Sequence, residues 1–226
     1  MRRFLLKFNQ RSSGLIDDFG DKIFHILGCG AIGSSAAITL ARMGAESFVL
    51  YDMDRVGIEN IGISQYNISD IGKKKVKALC NALQCINPDT EISECDGLFT
   101  KFVRQLGPDD IVILGFDSME VRKDAATEAT KRPNKPGLLI DGRMGAEEYQ
   151  QYTLINPTLS DYMKYWYSDD DAESDPCNAK GTSYCSNMAG SFITNAVKKV
   201  MNGEGYSEEF FFNFPNYVLA KSPLMQ

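Results

Sequence analysis

Apolar residues in this chain form short continuous runs, and between the runs they recur every three or four positions. The runs at 23–27, 47–51, 110–116 and 138–141 read as strands buried on both faces, as in the interior of a parallel sheet. Residues 34–43 and 76–86 carry helical spacing, the second with Val76, Leu79, Cys80 and Leu83 on one stripe. Gly44 caps the first helix and Asn87-Pro88 ends the second. A further strand is expected at 91–95, a short helix at 99–106 and a longer helix at 119–131. This alternation predicts an α/β fold built on a doubly wound, mainly parallel sheet.

The last third of the chain changes character. Residues 149–155 alternate weakly and read as an antiparallel strand at the sheet edge. Residues 188–201 form an amphipathic helix and 210–219 an aromatic-rich strand or hairpin, which adds an antiparallel C-terminal extension. Between them, 156–187 is acidic (Asp161, Asp169, Asp170, Asp171, Glu173, Asp175) and has no periodicity. It is expected to be a long crossover loop with at most a short helix at 162–167, and loops of this length tend to be functional. At 226 residues and 43% hydrophobic content, the chain is expected to form one nucleotide-binding domain over 1–226.

A net charge of −6 with no basic face argues against nucleic acid as a partner. No apolar run approaches the roughly 18 residues of a membrane span, and Lys7 breaks the apolar start before it becomes a signal-peptide core. The expected location is cytoplasmic. The six cysteines then read as thiols, and without C-x-x-C pairs no structural zinc is expected.

The chemistry begins where the strand at 23–27 runs into Gly28-Cys29-Gly30-Ala31-Ile32-Gly33. This is G-x-G-x-x-G opening a helix, with Asp52 at the next strand's end, about 20 residues on. Gly28 permits the tight turn, Gly30 the approach of a phosphate, and Gly33 close packing of helix on strand. The N–H groups of Ala31, Ile32 and Gly33 at the helix start attract an anion. The combination predicts a Rossmann-like nucleotide site. Asp54, Asn60, Lys75, Asp117, Ser118 and Arg122 follow at or near the other strand tips, which in a parallel sheet share one carboxyl edge. Two acids, a lysine, an asparagine and a further acid suit ATP with Mg²⁺. The cations Lys73-Lys74-Lys75 at a helix start oppose its dipole and imply an anionic neighbour.

These motifs resemble the ThiF/MoeB family, whose fold is shared by the adenylation domains of ubiquitin-activating enzymes. The matching pieces are GCGAIGS, the D-M-D-x-V-x-x-x-N run from Asp52 to Asn60, I-G-K-K-K-V ending at Val76, and D-S-x-x-x-R from Asp117 to Arg122. The resemblance implies an ATP-dependent adenylyltransferase that activates the C-terminal carboxylate of a ubiquitin-like or sulfur-carrier protein or peptide, working as a homodimer. It implies that Asp52 holds the ribose, that Asn60 and Lys75 contact the phosphates, and that Asp117 positions Mg²⁺. It also implies an arginine reaching across the dimer, for which Arg11 is the candidate. Relatives often carry a cysteine that takes the activated carboxyl or sulfur. The candidates are Cys177 in the acidic loop and Cys185, whose helix-start position favours thiolate.

One family feature is missing. The arginine typical a few residues after Asn60 is absent, the positions reading Gly62-Ile63-Ser64-Gln65, with Gln65, Lys73 or Arg143 as substitutes. Two other readings stay open. An NAD-dependent oxidoreductase would use Asp52 but shows no Tyr-Lys or His-Asp proton relay. A non-catalytic subunit of a heterodimeric activating enzyme would explain the missing arginine. His25, the single histidine, reads as a packed strand residue, and Trp166 with its neighbouring tyrosines as local packing.

Overall fold

The computed structural model describes residues 14–15, 19–131, 133–169 and 181–225. Five strands, β1 (Ile23–Leu27), β2 (Ser47–Asp52), β3 (Glu91–Asp96), β4 (Asp110–Leu114) and β5 (Leu138–Gly145), run parallel in the order β3-β2-β1-β4-β5. Beyond β5 the sheet continues antiparallel through β6 (Glu148–Ile155), then skips β7 (Tyr206–Ser207) to β8 (Glu209–Asn213) and β9 (Val218–Lys221). A separate two-stranded ribbon joins β7 to β10 (Leu224–Met225). The helices are α1 (Ala31–Arg42), α2 (Lys75–Ile86), α3 (Met119–Ala129), α4 (Leu159–Met163) and α5 (Ser183–Met201). Among the described residues no helix is long and apolar enough to cross a membrane.

Strand side chains alternate between two cores, as the period of two requires. Phe24, Ile26, Phe48, Leu50, Ile111 and Ile113 pack on one face against Leu40 of α1, Leu79 and Leu83 of α2, and Ile193 and Val197 of α5. Leu27, Val49, Val112, Leu114 and Leu139 point the other way, onto Ala125, Ala126 and Ala129 of α3 and Tyr162 of α4. Each fully buried Leu or Ile contributes roughly 1.5–3 kcal/mol to this arrangement. The helix α5 crosses α1 at close range, because a Cβ on Gly190 would lie 2.7 Å from the backbone carbonyl of Ser35.

The architecture agrees with the α/β expectation, and the local differences have identifiable causes. Residues 99–106 are not helical. Their helical spacing of apolar residues serves an aromatic cluster instead: Phe99 and Phe102 pack edge-to-face on each other and on Tyr51. The N–H of Val103 donates to the Tyr51 hydroxyl (3.3 Å). The strand β5 runs four residues past Asp141, because the hairpin with β6 continues pairing to Gly145–Glu148. The strand β6 is not an edge, since β8 covers its outer side. The short helix expected at 162–167 lies earlier, started by Thr158, whose side chain accepts from the N–H of Asp161. The helix α5 begins five residues before the expected 188.

His25 is a packed strand residue, as expected, but with polar partners. Its Nε2 lies 2.7 Å from Asp110 and its Nδ1 3.3 Å from the Tyr51 hydroxyl. Burial alone would raise the Asp110 pKa. The His25 contact, the Gly107 N–H and Arg104 outweigh it and hold the carboxyl below its ordinary 3.8. A lowered carboxylate stabilises the fold above its unfolded pKa and loses that contribution as pH falls through the folded value. Asp110→Asn is therefore expected to cost about 2 kcal/mol at neutral pH. In thermal melts the gap between parent and variant should close below about pH 3.8. A gap that stays constant into acid would refute the assignment.

Candidate functional site

The glycine loop is shaped by close backbone contacts. Gly28 has φ +91°, and a Cβ there would stand 2.7 Å from the Gly115 carbonyl at the end of β4. A Cβ on Gly33 would overlap the Gly28 carbonyl oxygen. Gly30 differs, because nothing lies within 4 Å of a Cβ built on it. The first turn of α1 carries no acidic residue. Among the described residues no side chain caps the N–H groups of this helix start, which carry the polarity a phosphate requires.

Asp52, 8% exposed at the tip of β2, accepts from the N–H of Cys29 (2.7 Å) and, through its other oxygen, from Asp54 (2.8 Å). Burial raises its pKa, opposed by Lys75 and these two N–H groups. Each oxygen retains a lone pair for a sugar hydroxyl. Lys75 opens α2 and bonds Asp54 at 2.8 Å, its side chain 11% exposed. Burial would lower its pKa, but the Asp54 hydrogen bond and the charges of Asp52, Asp54 and Asp117 raise it, so it remains a cation. Asp117 is exposed just beyond β4, and Ser118 caps α3 by accepting from the Val121 N–H (3.4 Å). Asn60 accepts from the Gly57 N–H (2.9 Å) and keeps its amide N–H₂ as a donor. The structure thus brings Gly28–Gly33, Asp52, Asp54, Lys75 and Asp117 to one edge. The anionic neighbours implied for the three lysines are the chain's own: Asp70 for Lys73, Asp96 for Lys74 and Asp54 for Lys75.

Other expectations need correction. Arg143 is no spare arginine. It is buried, donating through Nε (3.0 Å) and Nη2 (2.7 Å) to Asp141 and through Nη1 to the Tyr165 carbonyl (2.8 Å). Its guanidinium also stands over the rings of Tyr152 and Tyr167. Arg122 binds the same Asp141 and reaches the carbonyls of Leu114 and Gly142. Gln65 is bonded to Asn187 (2.7 Å). The node around Asp141 was missed in the sequence, where two arginines and one acid at neighbouring strand and helix ends were its signal.

Cys185 is buried, and its thiol donates to the Glu148 carbonyl (3.4 Å). Burial, and then Glu147 and Glu148, push its pKa up to about 12. The expected thiolate bias of the helix start is outweighed. Arg11 and Cys177 lie outside the described residues. Trp166 packs locally, donating to the Met119 carbonyl (2.9 Å), and Asp169 accepts from the Met119 N–H (3.1 Å). These two residues tie the segment before 170–180 to the start of α3, next to Asp117.

Known proteins resemble this chain in sequence and in fold. It is 31% identical over 140 residues to the tRNA threonylcarbamoyladenosine dehydratase of Escherichia coli (strain K12), covering 57% of this chain and 49% of that one. It is 29% identical over 116 residues to ubiquitin-like modifier-activating enzyme 5 of Drosophila ananassae, covering 45% of this chain and 29% of the relative. The chain thus spans half or less of the length of these curated relatives. Among solved structures, E. coli MccB with ATP superposes with a TM-score of 0.70 at 15% identity, over 96% of this chain and 68% of that one. PaaA superposes with a TM-score of 0.68 at 16% identity, over 91% and 65%. The low identity of both makes them evidence of fold. The sequence matches the ThiF family over residues 15–222, and the chain belongs to that family.

Proposed function

We propose that this protein uses ATP to adenylate a terminal carboxylate of a small protein or peptide, in the class of ubiquitin-like or sulfur-carrier proteins. The observation that carries the reading is an open glycine cradle beside a lysine ringed by three aspartates, in a chain of the ThiF family. The names of the relatives support it. One is a ubiquitin-like modifier-activating enzyme, and MccB has been solved both with ATP and with N-formylated MccA. The E. coli relative's name refers to a tRNA nucleoside, whereas a net charge of −6 favours a protein or peptide partner here.

The geometry supports the following roles. The α1 N–H groups and Gly30 cradle phosphate, and Asp52 accepts from the ribose. The hollow of about 220 Å³ bounded by Leu98, Phe99 and Asp96 at the tips of β2 and β3 takes the base. Lys75 and the Asn60 amide offset the charge of the triphosphate. Asp117 would hold Mg²⁺, which when bound would supply positive charge against the repulsion between two anions. The substrate carboxylate is already ionised at neutral pH, so its oxygen attacks the α-phosphorus without a general base and pyrophosphate leaves. Arg11, lent across a homodimer, supplies further positive charge. Of the two cysteines, Cys177 remains the candidate acceptor after adenylation, because Cys185 is buried and protonated.

Four outcomes are expected. In calorimetry ATP with Mg²⁺ binds more tightly than NAD; the reverse order would favour the oxidoreductase reading and sink this one. Asp117→Ala lowers ATP–pyrophosphate exchange by about a hundredfold or more while leaving the melting temperature close to the parent's; normal turnover would show that Asp117 has no such role. Cys177→Ser retains exchange but loses any carrier adduct cleaved by thiol reductants, whereas Cys185→Ser keeps both. Light scattering of the active species tests the shared site, and an active monomer at nanomolar concentration rules it out.

A further inference from the structure

We propose that Tyr66 is a positioning residue for the glycine loop, its hydroxyl aiming the N–H of Gly30 into the phosphate cradle. The ring is 4% exposed, and the hydroxyl donates to the Cys29 carbonyl at 2.5 Å, with the Lys75 carbonyl 3.4 Å away. The Cys29 carbonyl and the Gly30 N–H belong to one planar trans peptide and point in opposite directions. A donor that holds the carbonyl from one side therefore fixes where the N–H points on the other. Among the described residues no hydrogen bond engages the Gly30 N–H, and a Cβ built on Gly30 would meet nothing within 4 Å.

The loop needs such a pin because glycines flank Cys29 on both sides, and glycine restricts backbone rotation least. The preceding peptide is already held, its Cys29 N–H bound by Asp52. Tyr66 holds the following one. Its own position is set by the Gln65 N–H, which donates to Ser34 Oγ in α1 at 3.0 Å. Burial, and then charge at Cys29 and Asp52, push the phenol's ionisation well above its usual range, so it stays a donor. Behind Tyr66 lies a cleft of about 750 Å³ between α1 and α2, bordered by Arg42, Cys85 and Ile86. Removing the hydroxyl leaves the Cys29 carbonyl to whatever water reaches it from there.

The inference deepens the adenylation reading, and the test separates the two. Tyr66→Phe keeps the ring and removes the bond. Expected results are a rise in Kd and KM for ATP of roughly tenfold, about the effect of one buried hydrogen bond, and a change in kcat of less than about threefold. In the nucleotide-free variant the hydrogen-bonded loop amides of Cys29 and Ser34 should exchange hydrogen faster, while those of β1 and β4 exchange as in the parent and the melting temperature barely moves. Tyr66→Ala, which loses the ring as well, should lower the melting temperature. Unchanged loop exchange in Tyr66→Phe overturns the proposal. So does faster exchange spread evenly over β1 and β4, which would mark a merely structural role. A parent that binds no ATP would remove the adenylation reading, while the exchange rates would still decide the role of Tyr66.

Discussion

The site depends on one steric constraint, the turn that carries the chain from β1 into α1. There the backbone of Gly33 lies against the Gly28 carbonyl, and Gly28 lies against Gly115, so closely that no Cβ fits at either glycine. The same packing holds the first turn of α1 over the carboxyl edge of the sheet, between the tips of β1 and β4. Two hydrogen bonds lock it, from the Gly28 N–H to the Tyr51 carbonyl (2.8 Å) and from the Gly115 N–H to the Leu27 carbonyl (2.7 Å). Everything that approaches the helix start, Asp52 from β2 and Tyr66 from the following loop, is placed against this turn.

Charge at that edge is mixed, with the acids outnumbering the lysine. Lys75 faces Asp52, Asp54 and Asp117, so the edge without ligand is net negative at close range. A triphosphate alone would be repelled by the two outer acids. In the proposed reaction a divalent cation beside Asp117 would reverse the balance, and the lysine could turn from Asp54 toward phosphate. Asp52 cannot turn away so easily, since both its oxygens already hold backbone N–H groups. It therefore serves the loop's shape, beside the ribose contact we propose.

Most of the parallel half of the fold was legible, because strands buried on both faces leave continuous apolar runs and the glycine spacing reports a backbone contact directly. The meeting of Asp52, Asp54, Lys75 and Asp117 at one edge was legible for the same reason, since strand tips are fixed once the strands are. What misled was side-chain chemistry that mimics periodicity. Phe99, Phe102, Val103 and Leu106 have helical spacing, yet the two rings pack around Tyr51 and the backbone there follows them. Burial was the other blind spot. The position of Cys185 near a helix start was readable, but not that Glu148 and the β6 backbone would enclose it. The partners of Asp141 come from β5, α3 and α4, and no local pattern connects them.

That last node bears directly on the missing arginine. Asp141 accepts from Arg122, Arg143 and the Tyr162 hydroxyl, and Arg143 is further held by the Tyr165 carbonyl and two aromatic rings. Withdrawing either guanidinium toward a nucleotide would break a buried ion pair, a cost of about 3–5 kcal/mol. It would also loosen the junction of β4, β5 and α3 that sets the place of Asp117. These two arginines are therefore structural, however close to the carboxyl edge they stand. In the reaction we propose, between two anions, positive charge has to come from side chains that can reorient cheaply. Lys75 is one, and Lys73, paired with Asp70 at the surface, is another. Any arginine taking part must come from outside this node.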